Sequence, residues 1–213
     1  MKRVLFLTVL FVAGFSCVSF AQFEMSIGPA VGINYNFYNG PSIRNSNMSY
    51  SGAGVSLGGQ ADMKFNQVVG LLTSITLYDM MSASGSNSVQ GTKTGRNVSL
   101  SYLMVNPSIK FTVPNTGLGF FGGPGVGFKI GGSFEDYRIV NGQREQLTPV
   151  SDLLNLKSRI NAQIGMSYDF DLKGMFLSPY FLYDLGLTDV DEAGGWKASG
   201  IKVGLAIKFN VVK

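Results

Sequence analysis

Residues 23–37 alternate strictly between two kinds of side chain. The odd positions are large and apolar or proline, and the even positions are small or polar. A period of two residues is produced by a β-strand with two different faces, and a helix cannot produce it. Strands of soluble proteins usually end after about 5–6 residues, whereas a tilted strand that crosses a bilayer needs about 9–11. This segment is therefore long enough to cross a membrane.

Seven further segments repeat the alternation and predict the remaining strands. They cover residues 53–65, 69–78, 98–113, 118–130, 154–168, 176–187 and 200–211. The whole pattern predicts an all-β fold, an eight-stranded antiparallel up-and-down transmembrane β-barrel that spans residues 22–213 as one domain.

The apolar face of the fourth predicted strand changes phase at Asn106-Pro107. Proline cannot donate to a strand ladder, so a phase change beside it indicates a β-bulge. The predicted lipid-facing residues are Val98, Leu100, Tyr102 and Met104 before the bulge, and Ile109, Phe111 and Val113 after it.

The predicted connections alternate in length. Long polar segments cover residues 38–52, 79–97, 131–153 and 188–199, and short ones cover residues 66–67, 114–117 and 169–174. Outer-membrane barrels have short periplasmic turns and longer extracellular loops. The alternation therefore predicts that both termini lie in the periplasm.

A soluble ligand-binding barrel shows the same alternation with its apolar face inward. Two observations favour the membrane instead. Charged residues make up 14% of the chain, well below the roughly 25% of an ordinary soluble domain. An eight-stranded interior is just wide enough for side chains, so it cannot hold eight rows of large apolar residues.

The N-terminus explains how such a chain would reach the outer membrane. Lys2 and Arg3 precede an apolar run, and a Ser19-Phe20-Ala21 cleavage site follows it. These features predict a signal peptide over residues 1–21 that is removed before Gln22. The single cysteine, Cys17, lies inside this peptide, so the mature chain offers no thiol and no disulfide.

Residues 102–111, Tyr-Leu-Met-Val-Asn-Pro-Ser-Ile-Lys-Phe, followed by the glycine-rich residues 120–127, resemble the PorT-type outer-membrane β-barrel family of Bacteroidetes. Residues 179–188, Pro-Tyr-Phe-Leu-Tyr-Asp-Leu-Gly-Leu-Thr, resemble the penultimate strand of that family. The resemblance implies a small outer-membrane barrel. It implies no catalytic residues, because the family has none in common.

The composition argues against enzyme chemistry. The chain has no histidine, which excludes Ser-His-Asp sites and removes the commonest metal ligand. The glycine-rich residues 122–132 lack the Lys-Ser/Thr of a phosphate loop, and the acidic residues 189–192 lack the spacing of a calcium loop. We expect no catalytic, metal or cofactor site.

Charged residues on the small or polar face form the one candidate constellation, a charge network in the lumen. Buried charges require partners, so one reading is a plug of ion pairs; a second is a narrow anion-favouring pore, since basic residues outnumber acidic ones. The set comprises Glu24, Asp62, Lys64, Lys110, Lys129, Lys157, Arg159, Asp184, Lys202 and Lys208.

Two functions follow from these readings. The first is a non-enzymatic barrel with a structural, adhesion or assembly/secretion-associated role, and the alternative is a small solute or ion channel. The expected partners are outer-membrane lipid, the barrel-assembly machinery, and a protein at the extracellular loops or the periplasmic rim. The 17 basic and 13 acidic residues form no basic run, so no nucleic-acid partner is expected.

Overall fold

The computed structural model describes residues 24–39, 49–89, 92–140, 142–147, 151–152, 156–191 and 195–212. The predicted signal peptide lies outside these residues. Among them, no helix is long and apolar enough to cross a membrane.

Eight long antiparallel strands close into a barrel. Each strand pairs with the next in sequence, and the last pairs with the first along thirteen positions, from Met25–Val212 to Asn39–Lys197. The strands are β1 Glu24–Asn39, β2 Ser49–Lys64, β3 Val69–Val89, β4 Thr92–Thr112, β5 Leu118–Val140, β6 Arg159–Tyr168, β7 Met175–Gly186 and β8 Lys197–Val212. The predicted eight-stranded up-and-down barrel is confirmed.

The outer face of the barrel is apolar along the lower part of every strand, nearest the short turns. Ile33 and Ile164 are 67% and 68% exposed, and neighbouring outward positions are Val, Leu, Phe and Tyr. A chain in water would bury such side chains, whereas lipid solvates them. This band is therefore the membrane-facing surface.

The short turns lie where the sequence predicts them. Asn66 accepts hydrogen bonds from the amides of Val68 and Val69 through its side-chain oxygen at 2.8 and 2.7 Å, which closes the β2–β3 turn. Asn115 has a positive φ of 59° in the β4–β5 turn, a conformation that asparagine tolerates better than most residues. Between β6 and β7, the two-residue strand Phe170–Asp171 pairs with the start of β7. Local turn chemistry thus fixes this rim.

The opposite rim differs from the prediction, because three strands are much longer than expected. β3 continues to Val89 and β4 begins at Thr92, so most of the predicted loop 79–97 is a paired hairpin. β5 continues to Val140 and pairs there with the short strands Gln143–Gln146 and Ser151–Asp152. Together β3, β4 and β5 form a three-stranded sheet that extends beyond the barrel.

The predicted faces of β4 are wrong in its first half. Val98, Leu100, Tyr102 and Met104 are buried inside, with at most 2% exposure. Their outward neighbours include Ser99 and Ser101. The same positions of β4 face the lumen along the whole strand. Within the membrane-facing band the large apolar residues lie on the outer side of the strand, and above that band they lie on its inner side.

The bulge predicted at Pro107 is also wrong, since Asn106 and Pro107 pair with Ser74 and Thr73 in an unbroken register. The register shifts lie elsewhere. One falls at residues 77–78, where β3 has one extra residue relative to both neighbouring strands. A second lies at Ile130 of β5, and a third lies between Met25 and Ser26 of β1.

The sixth strand begins at Arg159 rather than at residue 154. Leu156, predicted to face lipid, forms an isolated bridge with Asp191 and is 4% exposed. It joins an apolar cluster inside the upper barrel. The members of this upper cluster are Tyr38, Tyr50, Met81, Ala83, Val98, Leu100, Tyr102, Met104, Leu156, Val190, Trp196 and Ala198.

Candidate functional site

The lower lumen contains a closed cluster of two carboxylates and two ammonium groups. Lys110 Nζ lies 2.5 Å from Asp62 and 2.7 Å from Asp169. Lys208 Nζ contacts the same two carboxylates at 2.8 and 2.9 Å. The Asp62, Lys110 and Lys208 side chains are 1% exposed and that of Asp169 is 8% exposed. Strands β2, β4 and β8 are thereby tied across the lumen to the turn that follows β6.

Asp169 takes part in this cluster from that turn, outside the spanning strands. Its carboxylate also accepts a hydrogen bond from the Ser178 hydroxyl of β7 at 2.6 Å. Burial by itself would raise the pKa of Asp169, but the Lys208 and Lys110 ammonium groups hold that pKa well below its usual range. The group therefore stays ionised at neutral pH.

A second ion pair lies higher in the lumen. Lys202 Nζ is 2.9 Å from Asp79 Oδ1. Asn34 donates its side-chain amide to the same carboxylate oxygen at 3.1 Å. The bulge at residues 77–78 is what turns Asp79 inward, because an extra residue reverses the faces of everything that follows it.

Arg159 lies at the boundary between the polar lumen and the upper apolar cluster. It is fully buried, and its guanidinium donates to Asp184 at 2.7 Å and to the Ala198 carbonyl at 2.9 Å. The guanidinium carbon lies 6.0 Å from the centre of the Tyr102 ring. Its Nε has no hydrogen-bond partner among the described residues.

The predicted charge network is brought together only in part. The structure unites Asp62, Lys110, Lys208, Arg159, Asp184 and Lys202 with two carboxylates that the sequence reasoning missed, Asp79 and Asp169. Both lay in segments predicted to be loops or turns. The one sequence signal that could have identified Asp79 and Asp169 is that each directly follows the end of a predicted strand with an apolar face.

The other four predicted members lie apart from the buried ion pairs. Lys64 and Glu24 form a 3.8 Å pair at the lower rim, where the two side chains are 29% and 55% exposed. Lys129 and Lys157 are exposed, and neither has a carboxylate partner among the described residues. Neither joins the network, because the regular ladder between β5 and β6 begins only at Gly127 and Arg159. Lys129 pairs with the inward-facing Tyr102 of β4, whereas Lys157 precedes β6.

The buried charges of the lumen therefore balance. Four carboxylates face four cations, and every one of them has an opposite charge within 2.9 Å. The excess of basic residues on which an anion-favouring pore would rest is absent from this buried set. Its members are Asp62, Asp79, Asp169 and Asp184 with Lys110, Arg159, Lys202 and Lys208.

A small space lies beside one of these groups, Lys202. A space of about 20 Å³ lies in the middle of the lumen between Gln60, Asn106, Gln163, Tyr180 and Lys202. A cavity needs about 10–15 Å³ to hold one water molecule. Above it, Tyr50 and Trp196 stack at 5.6 Å within the upper cluster.

The described residues contain no group of three or more acidic, cysteine or histidine side chains that could hold a metal ion. The lumen offers side-chain hydrogen bonds instead, such as Gln163 to Ser108 at 2.8 Å and Asn161 to Asn106 at 3.3 Å. The arrangement holds strands together across the barrel.

Residues 20–192 match the family of outer membrane protein beta-barrel domains. The chain belongs to this family, and the protein is an outer-membrane β-barrel. No curated protein sequence is significantly similar to it.

Several solved structures resemble the chain at low identity. Ail, the attachment invasion locus protein of Yersinia pestis, in complex with the heparin analogue sucrose octasulfate, is 14% identical with a TM-score of 0.42, over 87% of this chain and 99% of that chain. Neisserial surface protein A is 12% identical with a TM-score of 0.41, over 88% and 99%. The N-terminal β-barrel domain of Pseudomonas aeruginosa OprF is 14% identical with a TM-score of 0.29, over 85% and 96%.

Proposed function

We propose that this protein is a non-enzymatic outer-membrane barrel whose lumen is a closed plug. The balanced set of four carboxylates and four cations, with side chains at most 12% exposed, carries the proposal. Ions would have to break these pairs to pass, and the charges then left unpaired would be strongly destabilising. The lumen therefore serves stability, and interaction with other molecules falls to the surfaces.

The projecting sheet of β3, β4 and β5 is the surface best suited to such a role. Its tip is rich in small polar residues and carries paired charges, with Arg96 contacting Asp136 and Arg144 lying 3.0 Å from Glu135. The role of the protein is then structural, adhesive or associated with assembly or secretion. The sequence resembles the PorT-type family of Bacteroidetes, which includes proteins implicated in secretion and gliding, and this resemblance supports the assembly or secretion role.

The proposal includes a topology and a route to the membrane. The short turns and both termini of the mature chain lie in the periplasm, the projecting sheet lies outside the cell, and residues 1–21 are a cleaved signal peptide. The difference in length between the two sets of connections supports this orientation, because outer-membrane barrels place their short turns in the periplasm.

Conductance across a planar bilayer tests the closed lumen. We expect the refolded protein to insert without producing unitary current steps. Reproducible steps with anion preference would contradict the proposal and favour the channel. In that case Lys202→Gln, inside the lumen, should change the ion selectivity, whereas Lys157→Gln, on the exposed surface, should leave it unchanged.

A further inference from the structure

A furrow crosses the outer wall of the barrel where β2 meets β3. Ala53 lines both halves of the furrow. It is exposed on the outer face, where most other outward positions carry larger residues. Ala53 pairs with Tyr35 on β1. On the other side, Ser82, Ser99 and Ser133 continue outward across β3, β4 and β5 as directly paired neighbours. Small side chains along this row leave the wall hollow.

The backbone explains why the furrow lies at this seam. The regular pairing of β2 with β3 stops after Ser56–Asp79 and resumes only at Ser51–Ser84. In the interval, Asn36 donates from inside the lumen to the carbonyls of Gly52 and Ser82, each at 3.3 Å. A side chain therefore supports the wall where the ladder is interrupted.

The half of the furrow beside β1 and β8 is apolar. It encloses about 460 Å³ and is lined by Ile33, Tyr35, Val55, Met80, Ile201 and Val203 among others. Ile33 and Val203 are 67% and 49% exposed and belong to the membrane-facing band. The family places this band in lipid, so the chemistry that fills this half is a hydrocarbon chain.

The half beside β4 and β5, called the polar half below, carries more polar groups than the other half, although Ala83, Val98 and Phe134 also line it. It encloses about 360 Å³ and presents the Ser82, Ser84 and Ser99 hydroxyls, the Asn97 amide and the Glu135 carboxylate. Asn97 donates to Glu135 at 3.2 Å. No lysine or arginine is among the described lining residues, and Arg144, which lies beside the lining residue Glu135, is paired with that carboxylate at 3.0 Å. The chemistry of the lining therefore favours a hydroxyl-rich group over a phosphate.

The two halves lie at different heights in the membrane. Strands of outer-membrane barrels tilt by about 35–45°, so a row perpendicular to the strands changes height in the membrane along its length. The change from apolar residues at β8 and β1 to serines at β3, β4 and β5 indicates that the row climbs toward β5. The apolar half therefore lies within the lipid band, and the polar half lies where the sheet leaves it. One molecule spanning both halves must itself be apolar at one end and polar at the other.

We propose that this furrow is a binding site for a glycolipid, with an acyl chain between β8 and β3 and a sugar headgroup against β3, β4 and β5. The inference goes beyond the closed-plug function, because it concerns the outer wall and holds whether or not the lumen conducts.

Lipid retention by the intact protein tests the site. The protein is placed in nanodiscs with equal amounts of a diacyl galactolipid and a phosphatidylglycerol that carry the same acyl chains, and native mass spectrometry records which lipid it keeps. We expect the galactolipid to be retained preferentially. Ala53→Phe fills the point where the halves meet and should abolish the preference.

Ala162→Phe is the matched control, since Ala162 lies on the outer side of β6, where it pairs with Pro124 and Leu185 away from the furrow. It should keep the preference. Ser99→Leu blocks only the polar half and should make retention of the two lipids equal, which provides a second reading if Ala53→Phe does not fold.

Equal retention of both lipids by the unmodified protein would overturn the proposal, as would an unchanged preference in Ala53→Phe or Ser99→Leu. A protein dimer that disappears in Ala53→Phe would also overturn it, because the furrow would then be an interface between two copies of the chain.

Discussion

Arg159 combines full burial with a charge, and its contacts explain how the fold tolerates both. Its guanidinium reaches Asp184 at 2.7 Å and the Ala198 carbonyl at 2.9 Å, so three strands meet at one side chain. The sequence predicted Arg159 and Asp184 as inward residues from alternation alone. It did not predict Asp79, which falls in the segment 79–97 that was predicted to be a loop. The extra residue at positions 77–78 that turns Asp79 inward is not marked by a proline or a glycine.

Replacing Arg159 with methionine should destabilise the barrel by about 3–5 kcal/mol, because Asp184 would be left buried without its counter-charge. Unfolding in urea from lipid vesicles, followed by the fluorescence of the single tryptophan, Trp196, measures the effect. Lys157→Met, two positions away and exposed, is the matched control and should leave the free energy of unfolding unchanged. Equal stability of the two variants would contradict the plug.

Substitutions at Leu205, which faces outward on β8, test the assignment of the lipid-facing side of the barrel. Leu205→Arg places a charge against hydrocarbon and should cost about 2–4 kcal/mol if the residue lies near the bilayer midplane. Leu205→Met, which keeps the position apolar, should have little effect in the same unfolding assay. If both variants unfold alike, the outer face at this position does not contact lipid.

At the scale of the strand, β4 shows both what periodicity determines and where it fails. The alternation correctly predicts a long strand, but it cannot tell which face is inside when the surroundings change along the strand. Tyr102 and Ile109 each belong to the apolar face that the sequence predicts for its part of the strand. Tyr102 is nevertheless buried inside the barrel, whereas Ile109 is 55% exposed on the outside. The strand passes from lipid into water, and the apolar face changes sides with the solvent.

The interrupted pairing of β2 with β3 gives a prediction at the same scale. Asn36→Ala removes the donor to the Gly52 and Ser82 carbonyls, and leaving buried acceptors unpaired costs about 1–3 kcal/mol. Hydrogen–deuterium exchange should accelerate at residues 80–83. Asn210→Ala, a half-buried position on β8 away from the seam, should leave this exchange unchanged; acceleration in both variants would mean that the seam does not depend on Asn36.

The whole molecule joins two kinds of core in one continuous barrel. Ion pairs, amides and a small apolar cluster that includes Leu72 and Phe121 fill the lower lumen, whereas the larger upper cluster around Tyr38, Leu100 and Trp196 packs as in a soluble protein. The sequence predicted the strand number, the closure and the short turns, since each depends on local pattern. It missed the long hairpins because the Ser-rich segments of β3 and β4 look like polar loops until their pairing across the sheet is known.

The proposed orientation of the molecule rests on these long hairpins and can be tested on intact cells. An epitope inserted between Gln90 and Gly91, where β3 and β4 meet, should be labelled by antibody from outside. The same epitope between Asn115 and Thr116, in the short β4–β5 turn, should be labelled only after the outer membrane is permeabilised, because short turns of such barrels face the periplasm. Both insertions fall between consecutive strands in the sequence, so each serves as the control for the other's folding. Labelling of the Asn115 insertion on intact cells would reverse the proposed topology.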